Sequence, residues 1–168
     1  VFPDIAKRLG AVDTLVYNAG AGAFGSLDEL EDDHFEHAWR VNAYGLFAAA
    51  RQVVPQIRSN GGGNIIVIGA TASVRHSAGF TGFTAAKSAQ RALAQSLARH
   101  LGPDRIHVGH VVIDGVVDLP RTREAMPDKP DEFFISPDAV AATALALVRQ
   151  DPSAWTFEID LRPFGESW

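Results

Sequence analysis

The sequence predicts a doubly wound α/β domain: a parallel sheet covered by helices on both faces, in three layers. Three observations carry that expectation. Apolar runs rich in β-branched residues, such as Ile65-Ile66-Val67-Ile68, show no polar alternation, as strands covered on both faces do. Between them lie long stretches with apolar residues at three- and four-residue spacing, the period of an amphipathic helix. The succession of strand and helix implies crossover connections, which make neighbouring strands parallel.

The elements follow in order along the chain. Phe2 to Gly10 reads as the tail of a helix closed by glycine, and Thr14 to Asn18 as a short apolar strand. Ser26-Leu27-Asp28-Glu29 has the form of a helix start, with Ser26 as cap and acids in the first turn. A long helix is expected from about Asp33 to Arg58, with Phe35, Ala38, Trp39, Asn42, Leu46 and Ala49 on one face and Gly61-Gly62-Gly63 ending it. Ile65 to Ile68 is the next strand. A second long helix from about Thr81 to His100 stops at Leu101-Gly102-Pro103, and the strand Ile106 to Ile113 leads into Asp114-Gly115. Leu119 to Phe134, rich in proline and charge, reads as a long irregular connection. Ser136-Pro137-Asp138 opens a helix that ends near Gln150, and Trp155 to Leu161 is the last strand.

At 168 residues and 46% hydrophobic content, the chain supports one sizeable core and a single domain over 1–168. A formal net charge of −5 with no basic stripe argues against nucleic acid or an anionic membrane as partner. There is no cysteine, so disulfides and thiolate metal sites are excluded, and a cytoplasmic location is the simplest expectation. Every apolar stretch is broken well before the ~20 residues of a membrane span.

Several short motifs stand on this frame. Asn18-Ala19-Gly20 follows the apolar run Leu15-Val16-Tyr17. Asn42 falls mid-helix, where asparagine is unfavourable unless its amide has a specific partner. A small-residue loop beginning Gly69-Ala70 follows the second strand, and Phe83 and Lys87 lie four apart on one helix face. Together these resemble the short-chain dehydrogenase/reductase family over essentially the whole chain. That family carries an Asn-Ala-Gly after a strand, an Asn in the next helix, a Ser after the following strand and a Tyr-x-x-x-Lys. Counting from Lys87, the tyrosine falls at Phe83 and the serine at Ala70, so two catalytic hydroxyls are replaced.

The resemblance implies a Rossmann-type fold with bound NAD or NADP. It implies that Asn18, Ala19 and Gly20 lie against the adenosine half of the cofactor. Lys87 would hold the nicotinamide ribose, and Gly115 would meet the carboxamide. Asn42 would position a water in a relay from Lys87, with Phe83 and Ala70 at the altered catalytic positions. Asp114 stands where the family usually has proline, and Asn18 can tie neighbouring strand ends by hydrogen bonds. Thr71 or Ser73, a register step or more from Ala70, and His76 are candidates for the missing hydroxyl or acid. The ordinary alternatives are a core phenylalanine, a solvated lysine, a packed asparagine and a polar loop.

Two further patterns are set aside. Gly20-Ala21-Gly22-Ala23-Phe24-Gly25 matches a dinucleotide fingerprint, but Asp28, Glu29, Glu31, Asp32 and Asp33 behind it would repel a pyrophosphate. His107 and His110 are out of phase on one strand and read as sheet-packing or surface residues rather than a metal pair.

The expected function is NAD(P)-dependent oxidoreduction of a small carbonyl or alcohol, weak or atypical for want of the two hydroxyls. The alternative is a non-catalytic cofactor-binding or interaction protein on the same scaffold. Ala43, Ala49, Ala50 and Val53 on one long helix, and Ala85, Ala89, Ala92 and Leu93 on the other, with the family's pairing through these helices, imply a homodimer or homotetramer. The family's glycine-rich pyrophosphate turn has no counterpart here. A further β-α-β segment before Val1 is therefore expected, which would place the strand Thr14 to Asn18 inside the completed sheet.

Overall fold

The computed structural model describes residues 1–165; residues 166–168 of the expected domain lie outside the described part. Helix α1 (Phe2–Leu9) ends at Gly10, whose φ of 91° takes the conformation that glycine adopts without strain. Strand β1 (Thr14–Tyr17) follows, then helices α2 (Asp32–Trp39) and α3 (Gly45–Ser59), strand β2 (Gly63–Ile68), helix α4 (Thr81–Leu101) and strand β3 (Ile106–Ile113). After a short excursion come helix α6 (Pro137–Val148) and strand β6 (Glu158–Leu161), the excursion holding strand β4 (Val116–Val117), helix α5 (Pro120–Ala125) and strand β5 (Phe134–Ile135).

The main sheet has the order β1-β2-β3-β6, with every pair parallel, and β4 and β5 form a separate parallel ladder. The absence of polar alternation in β2 now has its reason. Ile65 and Val67 pack into a core with Leu46, Val53 and Ile57 of α3 and Ala94 of α4, while Ile66 on the opposite face joins Val111, Ala144 and Leu147. Each face of the sheet thus has its own apolar cover, and the carboxyl ends of β1, β2 and β3 bring Asn18, Gly69 and Asp114 to one edge. In α/β sheets of this kind that edge is where ligands bind.

The helix expected from about Asp33 to Arg58 runs from Asp32 to Ser59 with one departure: residues Arg40–Tyr44 form a π-turn, closed by the Gly45 amide donating back to Arg40 O. Such turns hold one extra residue and free a carbonyl from the α ladder, and they occur often at functional sites. Here the Tyr17 hydroxyl of β1 donates to Val41 O within the turn. Gly45 makes room for it, since a Cβ there would lie 2.1 Å from the Tyr17 hydroxyl oxygen.

Several expectations are corrected. Ser26 to Glu29 is a turn rather than a helix start; Glu29 accepts from both the Ser26 amide and its hydroxyl, and helix begins only at Asp32. Phe35 and Trp39 face outward at 40% and 43% exposure, while Ala38 of α2 and Asn42 and Ala43 of the π-turn are the residues buried in this stretch. Leu119 to Phe134 is not wholly irregular: it holds α5 and an Arg123 guanidinium paired with Asp118 and Asp131 above the Phe134 ring. Ala43, Ala49, Ala50 and Val53, expected to face a second copy, are buried in the chain's own interior. Among the described residues no helix is long and apolar enough to cross a membrane.

Gly45→Ala is expected to cost about 1–3 kcal/mol, the scale of a buried hydrogen bond lost with its partner stranded. Urea unfolding of Gly45→Ala, Tyr17→Phe and the double variant measures this. An equal cost for Gly45→Ala in both backgrounds would show that the tyrosine hydroxyl is not the obstacle.

Candidate functional site

A cleft of about 1410 Å³ opens at the carboxyl edge of the sheet. Its inner wall is the first turns of α4. Its floor is the strand ends and the loop from Gly69 to Arg75, and its outer wall is the excursion around α5. Lys87, Phe83, Ala70, Asn18, Gly20 and Gly115 all line it, so residues far apart in sequence converge as expected. Asn42 lies directly behind Gly20.

Lys87 is 5% exposed, an unusual state for an ammonium group. Its Nζ donates to Ile68 O at 3.1 Å and to Gln90 Oε1 at 3.0 Å, and both acceptors are neutral. Burial without a compensating carboxylate pulls its pKa down to about 8. Gln90, fully buried, donates its own Nε2 to Asn42 O at 3.0 Å. Asn42 in turn donates Nδ2 to Ala21 O and to Ala38 O, both at 2.8 Å. The mid-helix asparagine thus has its specific partners. Its Oδ1 remains buried with no donor, and a Cβ built on Gly20 would stand 3.6 Å from that oxygen and 3.9 Å from Lys87 Nζ. Gly20 thus packs within van der Waals range of an unused acceptor and of the amine.

The wall beside Lys87 is apolar. The Phe83 ring lies 5.4 Å from Phe24, which makes an edge contact with Phe80 at 5.2 Å. Ala70 sits at the head of the floor loop. The hydroxyls proposed to replace its missing oxygen are committed elsewhere: Thr71 Oγ1 donates to Asp114 Oδ1 at 2.8 Å, and Ser73, buried, donates to Ala70 O at 2.5 Å. His76 is exposed and bonded to Ser88 at 3.1 Å. Asp114, in place of the expected proline, binds Thr71 and Arg75 and lies 3.7 Å from Arg162, so it clamps the floor loop to the end of β3.

The remaining sequence-derived residues divide. Gly20 sits where a close approach is possible, and Gly115 has a φ of 155° with Pro163 and Ile135 crowding any Cβ. Asn18 is exposed on the rim and ties no neighbouring strand end among the described residues; Ala19 is likewise exposed, and neither side chain is oriented by the fold. The glycine-rich stretch is held by protein: Gly25 N donates to Gly79 O, Phe83 N to Ala23 O, and Gly82 packs under Ala23. His107 and His110 lie on opposite faces of β3. His107 stacks on Trp155, while His110 is fully buried and bonded to Glu158, which also pairs with Arg91. Burial lowers the His110 pKa.

Gln90, Thr84 and the Asp114 clamp were not singled out from sequence. Gln90 stands three residues after Lys87 on the same helix face, and a glutamine at an apolar-periodic position was the available signal. Thr84 lines the cleft, and its hydroxyl is the one buried hydroxyl without a partner among the described residues. The adjoining space is large enough for the ribose and carboxamide groups of a nicotinamide nucleotide to reach the Lys87 amine.

A sequence model of the short chain dehydrogenase family matches residues 1–130. The chain is 35% identical over 116 residues to the cyclic-di-GMP-binding biofilm dispersal mediator protein of Escherichia coli K12, covering 68% of this chain and 48% of that one. A crystal structure of a short-chain dehydrogenase from Rhodopseudomonas palustris superposes with a TM-score of 0.79 and 33% identity, over 96% of this chain and 67% of that one. An alcohol dehydrogenase from Thermococcus sibiricus, solved with 5-hydroxy-NADP, gives a TM-score of 0.85 at 25% identity, over 99% of this chain and 69% of that one. The chain spans about half the length of the first curated relative it matches.

The buried amine predicts a stability profile. Between about 8 and the ordinary lysine value near ~10.4, the unfolded chain binds more protons than the folded one, so stability rises with pH through that window and is lowest below it. The rise is on the order of 3 kcal/mol. Urea titrations across the window should show it in the wild type and lose it in Lys87→Met. Parallel curves for the two proteins would mean that Lys87 carries no buried charge.

Proposed function

This chain belongs to the short-chain dehydrogenase/reductase family, and on that footing we propose that it is an NAD(P)-dependent oxidoreductase acting on a small, largely apolar carbonyl or alcohol. The observation that carries the reading is the Lys87 amine, held by two neutral acceptors at the carboxyl edge of a parallel sheet, where it lines the cleft with Gly20. A nicotinamide nucleotide bound there supplies or accepts the hydride.

The chain's own residues do the rest. Lys87 donates its remaining hydrogen toward the cleft, which suits a ribose hydroxyl. Gly20 and Gly115 allow close approach at the two ends of the site. Phe24, Phe80 and Phe83 line the substrate side with apolar surface and favour an apolar body. No side chain on that side offers a proton from the family's tyrosine position, because Phe83 has no hydroxyl, and Thr71 and Ser73 are turned away. Proton delivery to a substrate oxygen then falls to solvent, and losing a positioned donor costs ~10² to 10⁴ in rate.

Association through the outer face of α2 and α3 goes with this reading. Trp39, Tyr44 and Phe47 form an exposed ladder with ring separations of 6.4 and 6.3 Å, and Arg51 lies over the last ring. We infer a homodimer or homotetramer built on this ladder rather than on the buried alanines. Light scattering of the wild type against Tyr44→Asp should show the larger species lost in the variant. A monomer mass for the wild type at micromolar concentration would remove the idea.

The catalytic reading is tested by Phe83→Tyr combined with Ala70→Ser. Oxidation of NADH or NADPH with a panel of aldehydes and ketones should rise at least tenfold over the wild type. No gain in a folded double variant that binds cofactor would sink the assignment of these two positions, and turnover unchanged in Lys87→Ala would sink that of the amine.

A further inference from the structure

We propose that Gln90 is the positioning residue of Lys87, a side-chain bridge that locks the ε-amine at the cleft wall by anchoring it to the main chain of the π-turn. The bridge is wholly buried, and each end has only one workable partner. Oε1 faces the Lys87 amine at 3.0 Å and Nε2 faces Asn42 O at 3.0 Å. A reversed amide would set donor against donor at one end and acceptor against acceptor at the other, so the orientation is fixed by both neighbours at once. The link joins α4 to a turn 48 residues earlier in the chain. Asn42 O lies within the π-turn, and as a carbonyl oxygen with two lone pairs it can take this side-chain bond beside any bond of the helix ladder.

The consequence concerns how the amine behaves. Among the described residues no carboxylate pairs with Lys87. The ionisable group that feels its charge is His110 of β3, which is bonded to Glu158 of β6, itself paired with Arg91 of α4. Ile68 O, on β2, is the other acceptor that the amine reaches among the described residues. Gln90 therefore supplies half of the hydrogen-bonding that makes a buried ammonium tolerable. Being a primary amide, it holds both groups without serving as an acid or base between them. The gap between Lys87 and the Asn42 carbonyl is filled by side chain, leaving the amine to exchange its proton only through the cleft.

Trace labelling of lysines with acetic anhydride between about pH 6 and 11, read by mass spectrometry, reports the proton affinity of Lys87 without cofactor or turnover. The wild-type midpoint is expected near 8. Gln90→Met removes an acceptor and adds apolar surface, and should lower the midpoint by about one unit; Gln90→Glu places a carboxylate against the amine and should raise it by about one unit or more. Opposite shifts from one position are not the signature of general loosening. An unchanged midpoint in both folded variants would overturn the proposal. Should neither variant fold, the wild type labelled with ¹⁵N-glutamine decides: one slowly exchanging side-chain amide should titrate in step with Lys87, and no such amide would also overturn it. The functional consequence rests on the reading of Lys87 as the ribose-holding amine. Gln90→Met should weaken NADPH binding about tenfold by fluorescence, the scale of one hydrogen bond. Labelling shifts with no NADPH binding by the wild type would defeat that reading and leave the positioning role standing.

Discussion

A buried ammonium with no carboxylate is the constraint around which the site is arranged. Lys87 lies among strand ends and helix walls where a bare charge would cost several kcal/mol, and it is tolerated because neutral acceptors are aimed at it from two elements. Ile68 O comes from the end of β2, free because the strand stops there. Gln90 comes from the next turn of α4, and its other end is held by Asn42. Remove any member and the remaining groups are left unpaired in a dry interior, so the fold around the cleft is coupled through this one chain of polar contacts.

The same chain explains the π-turn. An extra residue between α2 and α3 is costly in an ordinary helix, but here carbonyls in and beside the turn accept three side-chain bonds. Val41 O accepts the Tyr17 hydroxyl, Asn42 O accepts Gln90, and Ala38 O accepts the Asn42 amide. These bonds join β1, the helix and α4, which are the elements that border the cleft. Rigidity at the back of the site is therefore built from hydrogen bonds, whereas the front is built from phenylalanine rings and loops whose apolar surface stays partly exposed. A site with a polar, locked back and an apolar, adjustable front suits a ligand with one polar end held fixed and one variable end.

The apolar character of the cleft at Phe83 and Ala70 is also a matter of environment. Phe83 joins Phe24 and Phe80 in a wall of edge contacts, and Ala70 lies beside a loop whose oxygens are turned toward Asp114 and its own backbone. Neither Phe83 nor Ala70 brings a polar side chain to the cleft, and the nearby hydroxyls are held elsewhere, Thr71 by Asp114 and Ser73 by the Ala70 carbonyl.

The doubly wound fold was legible in the sequence because strands buried on both faces and amphipathic helices leave distinct periods, and β2, β3 and α4 lie within a residue or two of their expected limits. The convergence of Lys87, Phe83, Ala70, Gly20 and Gly115 was legible too, since strand–helix order in a parallel sheet brings strand ends to one edge whatever the side chains are. The π-turn was not legible, because one extra residue in a helix changes no periodicity over a short window. Nor was the outward facing of Phe35 and Trp39, since both share the expected apolar face with Ala38 and Asn42. Nor could the pattern show which hydroxyls were spent, as Thr71 finds Asp114 only after β3 and the loop meet, and Ser73 finds Ala70 O only once the loop has its turn. What the sequence determined by itself was the layering and the cast of residues at the cleft. Only the tertiary structure decided their hydrogen-bond partners, because a buried polar group is defined by what surrounds it across the chain rather than by its neighbours along it.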